Sequence, residues 1–171
     1  MPHYHYKTVY GLIVFMSAIW CGLLIIPLFF AEGNPLQQKI AGFITLFFAP
    51  ICHQNPARSF FIKGHQAIVC ARCTGLYFGF FFGSILYPFF KELQNTHFPS
   101  KWLLASALTT SILEYFLAKT ALIYPRLPIR AAAGFGSGAI ITFFTIPALI
   151  DFSHLIMNKI RKRQWNKLPA S

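Results

Sequence analysis

The sequence predicts an all-α fold: a polytopic membrane helical bundle of four to five spans, with a Cys/His-rich loop packed at the bundle mouth. Three observations carry this. Hydrophobic residues make up 56% of the chain and charged residues only 11%, less than half the charged share of a soluble domain. Four apolar segments each approach the ~20 residues that cross a bilayer core. A single polar stretch, "CHQNPARSFFIKGHQAIVCARCTG" from Cys52 to Gly75, gathers three of the four cysteines and two of the six histidines.

The first segment, Gly11–Ala31, carries no charge. Its length and the lack of a small-residue cleavage site mark it as a mature helix, not a signal peptide. "AEGNPLQQK" breaks the chain after it. Ile40–Ile51 is apolar but too short for an ordinary span, so it is expected to re-enter, to lie at the interface, or to belong to a tilted helix from near Gln37. Thr74–Phe90, Trp102–Ala118 and Ala131–Ile150 are the other three spans. Pro99 and Ser100 suit a helix start, and the two prolines of "IYPRLPIR" forbid a continuous helix between the last two spans. Residues 1–158 form a single integral membrane domain with its signature region at 52–79, and 159–171 a basic cytoplasmic tail.

The net charge is +11. Five of the fifteen basic residues, Lys159, Arg161, Lys162, Arg163 and Lys167, lie in the tail. Basic residues just beyond a span hold that end in the cytoplasm and meet anionic headgroups. The charge is therefore assigned to the bilayer surface of the cell membrane and not to nucleic acid. With a cytoplasmic C-terminus, the Cys52–Cys73 stretch falls on the outer side.

Gly75, Gly79 and Gly83 recur every fourth residue, and Gly134 and Gly138 repeat the spacing. Small residues on one helix face let backbones approach closely in a membrane. They serve helix packing, and a homodimer through these faces is a further use.

Cys70-Ala-Arg-Cys73 is a C-x2-C pair, and Cys52, His53 and His65 supply further soft or borderline ligands. A Cys3His or Cys2His2 set can be assembled within this stretch, as zinc sites use. Zn suits thiolate and imidazole best, then Fe; acidic ligands are too scarce for Ca or Mg. Gln54, Arg58, Ser59, Gln66, Arg72 and Thr74 accompany the cysteines, and such groups are costly at membrane depth unless paired or lining a cavity. Gln54, Arg58 and Arg130 are the candidates for binding an anion or cofactor. Glu114 lies midway along an otherwise uncharged segment and is a functional candidate for moving protons. Cys21, alone in a lipid span, reads as a small apolar filler.

The pattern C-H-Q-x3-R-S-F-F-x2-G-H-Q followed by C-A-R-C-T-G-x-Y-x-G resembles the signature of a family of small prokaryotic membrane proteins catalogued as a domain of unknown function. The likeness covers Ile40 to Gly138. It implies that Cys52, His53, Gln54, Arg58, Ser59, Gly64, His65, Cys70, Arg72, Cys73, Thr74, Gly75 and Tyr77 are signature positions. It also implies that Glu114 and Arg130 are the acidic residue of the third span and the arginine opening the last, with Glu where Asp is more usual. The resemblance implies a fold and a site and brings no activity with it.

Three functions fit these residues. The first is a membrane protein built around a Cys/His-bound Zn or Fe, either structural or catalytic; in the catalytic version a leftover histidine or Glu114 moves protons. The second is a thiol–disulfide oxidoreductase with Cys70 and Cys73 as the active pair, Arg72 favouring the thiolate, and a quinone as electron acceptor. The third is a small transporter or lipid-headgroup binder using Arg58, Arg72, Arg130 and Glu114. Whether the chain is an enzyme is left open by the pattern.

Overall fold

The computed structural model describes residues 4–30, 33–93, 99–119 and 126–165. Helix α1 spans Tyr4–Phe30, α2 Pro35–Phe48, α3 Ala71–Phe90, α4 Lys101–Lys119 and α5 Leu127–Trp165. Between α2 and α3 stand a 3-10 turn at Pro56–Arg58 and a two-stranded hairpin, β1 Ser59–Ile62 and β2 His65–Cys70. Among the described residues, three helices are long and apolar enough to cross a membrane: Tyr6–Phe30, Ala71–Phe90 and Leu127–Ile160. Helix α4 covers the third expected segment but is not among them.

The glycines set the central contact. A Cβ on Gly75 would land on the backbone of Ala131, one on Gly79 on that of Phe135, and one on Gly83 on Ala139 and Thr142. The partners advance together along both helices, so α3 and α5 run parallel. Gly134 and Gly138 meet Arg72 and Leu76 in the same way. Thr142 Oγ1 adds a hydrogen bond to the Phe80 carbonyl at 3.2 Å. The glycine faces are thus used against each other within the chain.

Helix α1 runs antiparallel to α3. Tyr10 Oη donates to the Ser84 carbonyl at 2.9 Å near one end, and the Cys21 thiol donates to the Tyr77 carbonyl at 3.5 Å toward the other. Two cores follow. Tyr87, Ile146 and Ile150 close the end near the α1 N-terminus, and Leu24, Ile44, Phe48, Cys52, Ile68 and Val69 close the opposite end.

The short apolar segment Ile40–Ile51 falls mostly within α2. This helix starts at Pro35, where proline is tolerated in the first turn, and the Asn34 amide donates to Gln37 Oε1 at 2.8 Å. Its fourteen residues extend about 21 Å, short of the ~30 Å core of a bilayer. It turns back along α1, bringing Phe47 and Phe48 edge-on to Trp20 at centroid distances of 5.9 and 5.2 Å.

The hairpin corrects the expectation of a loop. Its two-residue turn is Lys63-Gly64, with φ of 51° and 81°, the sign pattern that matches strand twist in tight hairpins. Ile62 pairs with His65, Phe61 with Gln66 and Ser59 with Cys70, with a bulge between Ser59 and Phe61. Helix α5 also differs from expectation. It begins at Leu127 and continues to Trp165, through the start of the segment read as a separate tail.

A three-cysteine candidate metal centre

Each cysteine is placed by a different element. Cys52 leaves the turn after α2, its amide donating to the Phe48 carbonyl at 3.0 Å. Cys70 is the last residue of β2 and the N-cap of α3, with extended backbone angles. Cys73 follows in the first turn of α3. The hairpin returns the chain so that Ser59, seven residues after Cys52, sits opposite Cys70.

The three Sγ atoms lie within 4.8 Å of one another. Sulfurs bound tetrahedrally at ~2.3 Å from one ion stand about 3.8 Å apart, so the triad needs only a small contraction to hold a metal. All three are free thiols. Cys52 is 4% exposed and the other two are half-buried. Leu24, Ile44, Phe48, Ile68 and Val69 pack around them, with Trp20 and Tyr77 against the same cluster.

The Cys70 amide donates to Cys52 Sγ at 3.2 Å. The Cys70 thiol is held well below the usual thiol range. The main cause is the hydrogen bond offered by the Cys73 side chain; the Cys73 and Arg72 amides and Cys52 add to it, and burial opposes it. The amides approach the sulfur without closing a capping hydrogen bond. A thiolate at Cys70 is the ionic form that binds metal or attacks a disulfide.

A polar frame fixes this arrangement. Gln54, at φ 47°, donates through Nε2 to the Thr45 carbonyl at 2.8 Å. Gln66 Nε2 donates to the Gln54 carbonyl at 2.6 Å and to Ser59 Oγ at 3.4 Å. Ser59, fully buried, donates to the Asn55 carbonyl at 2.9 Å. Thr74 Oγ1 donates to the Cys70 carbonyl at 3.2 Å. These polar residues clamp the chain from 52 to 59 against the hairpin. Gln54, read as a ligand-binding candidate, sits in that clamp.

The other candidates are placed as follows. His53 is exposed beside buried Cys52, and His65 opens β2 next to the turn. Five strand steps carry the chain from His65 to Cys70, roughly 16 Å, and neither histidine belongs to the sulfur group. Arg58 is exposed in the 3-10 turn. Arg72 is half-buried between the cysteines of the pair. Arg130 is 5% exposed, in the first turns of α5, next to Ala131, which meets Gly75. It therefore shares the cysteine end of the bundle. Glu114 lies on α4, but its side chain falls outside the described residues. Sequence reasoning missed Trp20 of α1, whose ring stands 5.8 Å from Tyr77; an aromatic in a lipid span carries no signal of its partner.

The family described as "Predicted membrane protein (DUF2085)" matches residues 52–153, from Cys52 through most of α5. The chain belongs to this family. DUF2085 thus takes in the whole triad, the hairpin and the α3–α5 pair. An uncharacterised protein of Methanocaldococcus jannaschii is 34% identical over 146 residues, covering 83% of this chain and 94% of its own length. Another, from Methanothermobacter thermautotrophicus, is 42% identical over 53 residues, covering 31% of this chain and 47% of its own. No solved structure matches the chain.

Proposed function

We propose that this membrane protein binds one Zn or Fe ion through Cys52, Cys70 and Cys73 at the mouth of its helical bundle. The observation that carries the reading is the convergence of three free sulfurs, from three elements, within 4.8 Å. Soft thiolates select Zn or Fe over hard cations. Three protein ligands leave a fourth position for water or substrate, the pattern of a catalytic site; a fourth ligand would make it structural. His53, adjacent in sequence to Cys52, is the nearest histidine along the chain for that place. Arg72 and Arg130, at the same end, are candidates for holding an anion there, and Glu114 for moving a proton. Titration of the purified protein with Co(II) tests the assignment: thiolate-to-cobalt charge-transfer absorption should rise to one equivalent and fail to develop in Cys73→Ser.

A second reading rests on the depressed Cys70 thiol. Oxidation of Cys70 and Cys73 to a disulfide releases two electrons and two protons, which a quinone takes up to become a quinol. An open apolar groove on the bundle surface, lined in part by Trp20 and Tyr77, supports such an acceptor.

The arrangement in the membrane is part of the proposal. Parallel α3 and α5 both start at the cysteine end, so the chain between them must return across the bundle. The described element available for this is α4, whose nineteen residues extend about 28 Å. We therefore take α4 as a fourth crossing, with α2 and the hairpin entering and returning on one side. The basic tail supports a cytoplasmic C-terminus, which would put the triad on the outer face of the cell membrane. A homodimer would use a surface other than the paired glycine faces.

A further inference from the structure

A second cavity, about 380 Å³, lies between the last turns of α1, the hairpin and the first turns of α3. Leu24, Leu28, Phe60, Ala67 and Phe78 give it an apolar wall. Thr74 also lines it, but its hydroxyl is already donated to the Cys70 carbonyl. Among the described residues that line it, Lys63 is the only ionisable one.

Lys63 sits at the tip of the hairpin with φ 51°. The left-handed region is uncommon for a long side chain, and Asn is the usual residue in such a turn. The sequence nevertheless places an ammonium group there. The neighbouring tip residues Phe61 and Ile62 are exposed apolar groups. The tip stands beside the C-terminal end of α1, where a spanning helix reaches the headgroup level. From that rim the cavity extends toward Leu24 and Phe78, deeper in the bundle. A cation at the interface above an apolar slot repeats, in reverse, the polarity of a lipid with an anionic head.

We infer that this cavity binds one anionic phospholipid, with an acyl chain along the Leu24–Phe78 wall and the headgroup phosphate on Lys63. The occupant follows from charge complementarity and from orientation. A bilayer lipid already points its phosphate to the interface and its chain inward. The cavity shares the wall of Leu24, Ile68 and Val69 with the cysteine triad, but no cysteine lines it and it does not depend on a metal.

Native mass spectrometry of the full chain released from detergent, with phosphatidylglycerol or phosphatidylcholine of identical chains added, tests this. One phosphatidylglycerol per chain should be retained, about fivefold in preference to phosphatidylcholine, the discrimination given by one lysine at a membrane surface. Lys63→Gln, at an exposed turn, should remove the preference, and Lys39→Gln, at an exposed position of α2, should leave it unchanged. Ala67→Phe, which fills the slot, should lower retention of both lipids. Equal retention of the two lipids by the unaltered protein would overturn the inference. So would a preference that survives Lys63→Gln, or one lost equally in Lys39→Gln.

Discussion

The backbone N–H of Cys70 points at Cys52 Sγ across eighteen residues of sequence, at 3.2 Å. This bond ties the end of the short helix α2 to the start of spanning helix α3. It makes Cys52 an acceptor as well as a candidate ligand. Cys52→Ser puts a harder oxygen in both roles, and Cys52→Ala leaves the Cys70 amide in a half-buried site without its acceptor. A buried donor stripped of its partner costs about 1–3 kcal/mol. Cys52→Ala should therefore lower the melting temperature of metal-free protein, an effect that loss of a metal ligand alone would not produce.

The depressed Cys70 thiol predicts a pH profile. Its proton is lost at lower pH than for an ordinary thiol, so thiolate persists as pH falls below ~8.5, the usual thiol value. Alkylation of metal-free protein by iodoacetamide should therefore stay fast at neutral pH and decline only in acid. Peptide mapping should find the label on Cys70. A profile that declines below pH 8.5, or label mainly on Cys52, would contradict the assignment.

Glycines on α5 predict a sharp contrast two residues apart. A Cβ on Gly134 would strike the Arg72 backbone, whereas one on Gly136 would meet nothing within 4 Å. Gly134→Ala should destabilise by about 1–3 kcal/mol, the cost of overpacking. Gly136→Ala should be neutral or slightly stabilising, because alanine is the better helix former by ~1 kcal/mol. Thermal melting of the two variants in one detergent makes the comparison. Equal effects would remove the close α3–α5 approach from the account.

The proposed orientation predicts which ends are reachable from outside. In intact cells a membrane-impermeant maleimide should label Lys63→Cys at the hairpin tip and spare Leu93→Cys, just past α3, relative to the unaltered chain. The opposite pattern would place the triad on the cytoplasmic face.

Much of this was legible in the sequence, and the limits have physical causes. The charge-free run of α1 and the four-residue glycine spacing led directly to spanning helices and a close pair, because lipid solvent and backbone approach act locally. Spacing pointed to Cys52, His53, His65, Cys70 and Cys73 as a ligand set, and of these the three cysteine sulfurs lie within 4.8 Å of one another. The hairpin did not show itself. Ala67, Ile68 and Val69 are all buried, so β2 lacks the alternation that marks a half-exposed strand, and its turn carries lysine where asparagine would have signalled it. The hairpin also explains His65: an extended β2 carries it away from the sulfurs. The Gln54–Thr45 and Gln66–Gln54 bonds join distant carbonyls to side chains, and nothing in a single sequence pairs them.

Elemental analysis of protein purified without chelators, beside a free-thiol count under non-reducing conditions, tests the central claim most directly. The account predicts one Zn or Fe ion per chain, with Cys52, Cys70 and Cys73 unbridged, and loss of the ion in Cys70→Ser and in Cys73→Ser. Metal-free protein in which Cys70 and Cys73 are joined in a disulfide would contradict it and leave the thiol-exchange reading in its place.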